Sequence, residues 1–160
     1  MSKSVSAVLP PEVMEGLTGL SPVRDQATIL VSVDDDGFPR LSLLSRSEIH
    51  VVDETRLVIA LWAGSSTSEN IRCRGGGVLF RVDRGVSRTI RLRCLEPVPF
   101  DTSEGKHLVA IEAAIIDVQA DQVGYATIVR TLDFEIREPD RVLSRWREVG
   151  QLLAQRAEPR

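Results

Sequence analysis

The chain has 160 residues, of which 42% are hydrophobic and 27% are charged, so it can bury one apolar core and we expect a single domain over residues 1–160. Its net charge of −3 and its pI near 5.5 exclude the strongly basic field that is typical of nucleic-acid-binding proteins. No apolar run reaches the roughly 20 residues that cross a bilayer, and no polybasic run is present, so we expect neither a nucleic-acid nor a membrane partner.

The first 26 residues are predicted to form an N-terminal arm that carries one short helix. Pro11 is favourable at a first helical position, and Gly19 can stop a helix that covers residues 11–17. The opening letters, MSKSVSAVLPPEVMEG, contain one lysine, two prolines and no long apolar run, unlike a secretion signal. Cys73 and Cys94 lie too far apart for a metal-type pair and are expected to be reduced thiols, so we predict a cytoplasmic protein.

From residue 27 onwards, β-strand patterns dominate the sequence. The β-branched run ATILVSV leads into DDDG, which is a turn signal, and Leu41 and Leu43 then alternate with Ser42, which predicts a hairpin. We expect six or seven antiparallel strands, drawn from the strand-like segments 27–33, 39–46, 48–53, 56–62, 78–83, 86–98, 107–119 and 133–138. The alanines in the segment 107–119 also permit a helix. Strands joined by short turns favour a barrel over an open sheet with bare edges.

Two further helices are predicted, one within the strand region and one after it. The stretch GSSTSENIRCRGGG follows the third or fourth strand, and its S-x-x-E spacing from Ser66 to Glu69 is typical of a capping box at a helix start. The three glycines at its end must stop that helix. Apolar residues recur at helical spacing after Pro139, which predicts a C-terminal helix over 139–157.

Acid–base and metal chemistry have little support in the sequence. The two histidines, His50 and His107, lie in strand-like segments, and no G-x-S-x-G elbow or Walker-type loop occurs. Three acidic residues at 34–36 are typical of a solvated turn, so no metal site is expected there. The sequence therefore leaves the catalytic residues unassigned.

The run of hydroxyl side chains at 65–68 allows two interpretations. A helix N-terminus offers unpaired backbone N–H groups and the positive end of the helix dipole, and neighbouring hydroxyls add donors, a combination that suits a phosphate. Alternatively, the run is a plain helix cap in which Ser66 and Glu69 satisfy those N–H groups themselves. The carboxylate of Glu69 would repel an anion and favours the second interpretation.

The order of these motifs resembles the first half of the FMN-binding split barrel of the pyridoxamine 5′-phosphate oxidase superfamily. The resemblance covers residues 27–83, and the rest of the chain is similar only loosely. Three features carry it: a hairpin with D-G-x-P in its turn, a strand that ends in a serine-rich helix start, and Asn70-Ile71-Arg72 in the place of an Asn-Leu-Arg motif. The resemblance implies a mainly β fold, namely a split β-barrel of six to seven antiparallel strands with flanking helices. It also implies a homodimer with a small-molecule site at the subunit interface. If the protein is an enzyme, the resemblance implies an FMN-dependent oxidoreductase whose substrate is unknown.

The same resemblance implies a set of FMN-binding residues. Ser65, Ser66 and Thr67 fall on the phosphate-binding segment, and residues of the second strand and of the strand before the helix meet the ribityl chain and the ring. The expected cofactor-binding residues are Ser42, Leu44, Ser45, Leu61, Trp62, Ser65, Ser66, Thr67, Asn70 and Arg72.

The sequence departs from the family at the phosphate. The family commonly places lysine or arginine there from the helix start, whereas this chain has Ser66 and Thr67, so Arg40, Arg46, Arg72 or Arg74 would have to replace them. Three alternatives follow: a non-enzymatic split-barrel dimer that binds another small ligand, a dimer that has lost FMN, and a relative that binds deazaflavin or heme. A cation that reaches the 65–67 segment is the feature that favours FMN.

Overall fold

The structure is a computed structural model, and it describes residues 3–5 and 7–157. The extreme ends of the expected domain, residues 1–2 and 158–160, lie outside the described residues, as does residue 6. The helices are α1 (Pro11–Leu17), α2 (Ser66–Arg74) and α3 (Pro139–Ala157). The strands are β1 (Lys3–Val5), β2 (Arg24–Gln26), β3 (Thr28–Val33), β4 (Pro39–Leu44), β5 (Ile49–Asp53), β6 (Arg56–Trp62), β7 (Gly76–Asp83), β8 (Val86–Cys94), β9 (Val98–Asp101), β10 (His107–Asp121) and β11 (Asp133–Glu135).

Nine of these strands form one antiparallel sheet. The hydrogen-bonded order is β4-β3-β7-β8-β10-β6-β5, and β1 and β9 add to the long strand β10. The path ends at β4 and β5, which are consecutive in the chain and are joined by a single 3₁₀ turn over Arg46–Glu48. The sheet therefore curls into a barrel that is split between β4 and β5, and this mainly β fold confirms the expected class.

The concave face of the sheet encloses the main apolar core. Leu30, Ile59, Leu79, Ile90 and Ile111 from five different strands are fully buried there, because alternate residues of a strand point to the same face. A second, smaller core lies outside the barrel, where the apolar stripe of α3 covers the outer face of β6 and β10. β6 is thus buried on both faces, which explains its continuous apolar sequence.

Helix α1 packs against the barrel above a buried ion pair. The guanidinium of Arg81 donates from Nε to both carboxylate oxygens of Asp83 at 2.8 Å, and its Nη1 donates to Thr28 Oγ1 at 3.0 Å. Arg88 reaches Glu12 of α1 at 2.7 Å. A side chain at Gly16 has no room here, because a Cβ atom would lie 2.4 Å from Asp83 Oδ1 and 2.6 Å from Arg81 Nη2.

The structure settles the open points of the secondary-structure prediction. Helices α1 and α3 coincide with the predicted ranges, and the segment that also permitted a helix is the strand β10. The predicted strand 86–98 ends at Cys94, and the chain resumes pairing with β10 in β9. The segment predicted at 133–138 forms β11, which pairs with β2 in a separate two-stranded sheet.

We predict that Gly16→Ala destabilises the protein by about 1–3 kcal/mol. Alanine is the better helix former by about 1 kcal/mol, but the clash with a buried ion pair outweighs that gain. Chemical denaturation followed by circular dichroism measures the change. Gly124→Ala is the matched control, because no atom lies within 4 Å of a Cβ at Gly124, and it should alter stability by less than about 0.5 kcal/mol. Equal stabilities of the two variants would contradict the packing of α1.

Candidate functional site

The chain turns from β6 directly into α2, and Ser65 caps the helix. The turn is closed by the N–H of Ser65, which donates to the carbonyl of Trp62 at 3.2 Å, and Gly64 has a φ of +71°. Ser65 Oγ accepts the N–H of Ser68 at 3.2 Å. The predicted capping box of Ser66 and Glu69 is wrong: the carboxylate of Glu69 instead receives the guanidinium of Arg72, which lowers the pKa of Glu69.

The first two N–H groups of α2 have no acceptor among the described residues. They belong to Ser66 and Thr67, and the Ser66 side chain is exposed and makes no hydrogen bond there. Unpaired N–H groups at the positive end of a helix dipole suit an anion. These donors fit a phosphate group, although they are neutral.

Two polar contacts inside the barrel hold α2 in this position. Thr67 Oγ1 lies 2.5 Å from Ser42 Oγ on β4, and Asn70 Nδ2 donates to Ser32 Oγ on β3 at 3.1 Å. Thr67, Asn70 and Ser32 are buried, and Ser42 is half-buried. The structure therefore brings Ser42, Thr67 and Asn70 together and leaves Ser66 beside them at the surface.

Other predicted site residues are engaged elsewhere. Leu44 and Leu61 are 3% and 6% exposed and belong to the main core, so their side chains are not available to a ligand. Ser45 is buried, and its N–H and hydroxyl both donate to Glu48 Oε2, at 2.8 and 3.0 Å. Arg72 is exposed and pairs with Glu69.

Trp62 points away from the barrel interior towards α3. Its side chain is 48% exposed, and the guanidinium carbon of Arg145 lies 6.0 Å from the centre of its ring. A recess of about 20 Å³ beside it is lined by Glu48, Ala60, Trp62, Lys106, Leu108, Arg145, Trp146 and Val149. Sequence reasoning missed Lys106 and Arg145, since no local motif marks them and only the fold brings β10 and α3 to Trp62.

The arginines that were candidates for a phosphate are held by other groups. Arg40 pairs with Asp34 at 2.9 Å, and Arg46 pairs with Asp25 through two hydrogen bonds of 2.9 and 3.0 Å. Arg74 donates to the backbone carbonyls of residues 34 and 35, and Arg72 pairs with Glu69. Within the described chain, none of the four makes a hydrogen bond or an ion pair with the 65–67 segment.

The two histidines lie apart from the start of α2, on β5 and at the beginning of β10. Burial lowers the pKa of His50, and His107 Nδ1 lies 2.5 Å from Asp101 Oδ1 on an exposed hairpin. Within the described residues, no group of three or more His, Cys, Asp or Glu side chains could hold a metal ion. Over the same residues, no helix combines the length and the apolar character that a membrane crossing requires.

A cavity of about 510 Å³ opens at the far end of β6, and no predicted site residue lines it.

Comparison with known proteins identifies the fold. No protein-family model matches the chain. The sequence is 28% identical over 137 residues to the uncharacterized protein YclD of Bacillus subtilis, which covers 86% of this chain and 88% of that protein. A proposed pyridoxamine 5′-phosphate oxidase of Lactobacillus delbrueckii superimposes with a TM-score of 0.57 at 16% identity, over 72% of this chain and 98% of that one.

Two further solved structures share this fold. An FMN-binding protein of Syntrophomonas wolfei matches with a TM-score of 0.52 at 12% identity, over 70% of this chain and 88% of that chain. A variant of HupZ from group A Streptococcus matches with a TM-score of 0.54 at 14% identity, over 71% and 99% of the two chains. The chain thus has the split-barrel fold of proteins that resemble pyridoxamine 5′-phosphate oxidase.

We predict that Thr67→Val lowers the free energy of unfolding by about 1 kcal/mol, because it removes the hydrogen bond to Ser42 while keeping the side-chain shape. Ser66→Ala is the matched control in the next residue, and it should change stability by less than about 0.5 kcal/mol because the Ser66 side chain is exposed and unbonded. Urea denaturation of both variants checks the difference. A Ser66→Ala variant that loses as much stability as Thr67→Val would overturn the assigned contacts.

Proposed function

We propose that this protein binds FMN and acts as a flavin-dependent oxidoreductase. The observation that carries the proposal is the exposed start of α2, where two unpaired N–H groups and the Ser66 hydroxyl lie together beside β4. The split-barrel fold supports it, since an FMN-binding protein is among the structures with this fold.

Each residue of the proposed site has its own role in FMN binding. The N–H groups of Ser66 and Thr67 and the Ser66 hydroxyl would hold the phosphate, and Ser42 would keep Thr67 in place. Trp62, half-exposed at the end of β6, would present its indole to the flavin. Bound FMN supplies hydride acceptance, and the protein supplies position and electrostatics.

A homodimer with the ligand site at the subunit interface is part of the proposal. An apolar surface lies on the outer face of the β4-β3-β7 sheet, opposite to the face that holds Ser32 and Ser42. The pairing of the three strands makes this surface continuous. On β3, Ile29 lies between Leu43 of β4 and Phe80 of β7. Val31 lies in the same way between Leu41 and Val78. Leu41 and Leu43 are 70% and 57% exposed. Rows of exposed apolar side chains of this kind mark interaction surfaces, and a second copy of the chain is the proposed occupant.

The proposed phosphate site makes a sharp prediction for Ser66→Asp. An acidic residue in the first turn stabilises a helix through its dipole, so the protein should stay folded, but the carboxylate repels a phosphate. We expect FMN to bind at least about tenfold more weakly, whereas riboflavin, which has no phosphate, should bind as it does to the wild type. Flavin fluorescence titrations with both ligands measure the two dissociation constants.

Two outcomes would contradict the FMN proposal. One is a colourless protein that binds neither FMN nor riboflavin up to near-millimolar concentration, in which case the non-enzymatic split-barrel dimer would take its place. The other is FMN binding that Ser66→Asp leaves unchanged, since the phosphate would then lie elsewhere.

The proposed dimer predicts that Leu41→Asp combined with Leu43→Asp halves the molar mass in solution. Both side chains are exposed in one chain, so two carboxylates would not disturb the folded subunit but would be costly in an apolar interface. Light scattering after size-exclusion chromatography measures the mass, and circular dichroism checks the fold. Val98→Asp, which changes an exposed apolar residue on another strand, is the control and should leave the dimer intact. A monomeric wild-type protein would contradict the interface.

A further inference from the structure

Most cations in the described part of the chain already have a partner. Arginines pair with carboxylates on the hairpin, at the sheet edges and beneath α1, as in Arg40–Asp34, Arg46–Asp25 and Arg81–Asp83. Among the cationic side chains that the structure describes, those that make neither a hydrogen bond nor an ion pair are Arg93, Lys106, Arg137, Arg145 and Arg147. Two of these, Lys106 and Arg145, line one recess together with Trp62.

The sheet register places Lys106 next to the start of α2. Trp62 lies opposite Leu108, and the N–H of Ala63 donates to the carbonyl of His107 at 3.1 Å. Lys106 directly precedes β10 and therefore lies opposite the turn that leads into α2, and it lines the same recess as Leu108 and Trp62. Its side chain is partly buried.

Arg145 approaches the same face from α3. Its guanidinium lies over the Trp62 ring at 6.0 Å, at the outer limit of a cation–π contact. The recess between the two cations has a volume of only about 20 Å³, which is room for a single water molecule. An anionic group would therefore lie over the recess and not inside it.

We propose that Lys106 and Arg145 bind the anionic group of the ligand, a phosphate monoester, and thereby replace the cations that the α2 start lacks. This inference rests on the proposed FMN site. The α2 start provides neutral donors for the phosphate, and the two side chains provide the positive charge from the neighbouring strand and from the C-terminal helix. A charged donor binds a phosphate more strongly than a neutral one does.

One acidic side chain faces this recess, and its environment limits its effect. Glu48 is held by the N–H and hydroxyl of Ser45, and burial raises the pKa of its carboxyl, although Ser45 and the charge of Arg145 act in the opposite direction. The nearby Asp101 carboxylate is occupied by His107. The two cations are therefore not neutralised by a direct salt bridge.

The test compares FMN with riboflavin in Lys106→Gln, Arg145→Gln and the double variant. We expect each single variant to weaken FMN binding roughly tenfold and to change riboflavin binding less than twofold, because only FMN carries the phosphate. FMN binding should also become less sensitive to salt in the double variant. Arg147→Gln is the control, since Arg147 is an exposed cation of the same helix that makes no hydrogen bond or ion pair in the described chain, and it lies about 200° around the helix from Arg145.

The outcomes separate this inference from the proposed function. If the wild type prefers FMN to riboflavin and the Lys106 and Arg145 variants keep that preference, the inference is wrong and the FMN site stands. If Arg147→Gln weakens FMN binding as much as Arg145→Gln does, the effect comes from the net charge of the protein and not from a contact with the phosphate, and the inference is also wrong. A wild type that binds neither flavin overturns the proposed function itself.

Discussion

Two hydrogen bonds inside an apolar barrel determine where α2 begins, and the candidate site depends on them. Thr67 meets Ser42 and Asn70 meets Ser32, and a buried polar group without a partner costs more than the bond itself contributes. Sliding α2 by one residue would leave both pairs unsatisfied. The same contacts keep Ser66 at the surface, so the position of the α2 start follows from the packing of Thr67 and Asn70.

The split in the sheet places these elements around one edge. β4 and β5 lie at the two ends of the strand order in the sheet, and a short turn joins them. In this turn Glu48 accepts hydrogen bonds from Ser45. β4 and β5 do not pair with each other, so β4 keeps a free edge next to the start of α2. The outer face of the same strand carries Leu41 and Leu43, so the proposed dimer surface and the start of α2 both lie at this edge of the sheet.

Most arginines of the described chain are paired with other groups. Arg40 and Arg72 pair within their own hairpin and helix, and Arg74 of α2 donates to the β3–β4 turn, so none of the three supplies a cation to the α2 start. Lys106 and Arg145 have no such partner and converge on Trp62 from elements distant in sequence. A binding site that uses them would be assembled from three separate segments of the chain.

The sequence by itself determined the elements of this protein. The β-branched alternation, the hairpin turn and the apolar period after Pro139 are local signals, and the corresponding strands and helices lie close to where those signals predict them. The order of motifs resembled a known barrel, and this resemblance is what named Ser42, Thr67 and Asn70 as expected cofactor-binding residues; that role stays a prediction.

Only the tertiary structure decided which side chains were free to act. Whether Leu44 and Leu61 face the core, whether Ser45 is used by Glu48, and whether an arginine reaches the 65–67 segment depend on strand register and on competing partners. Local patterns contain no information about those partners, since Arg46 finds Asp25 twenty-one residues away and Arg145 meets Trp62 only through the packing of α3. Register and long-range pairing are properties of the whole folded chain, and they define the candidate site.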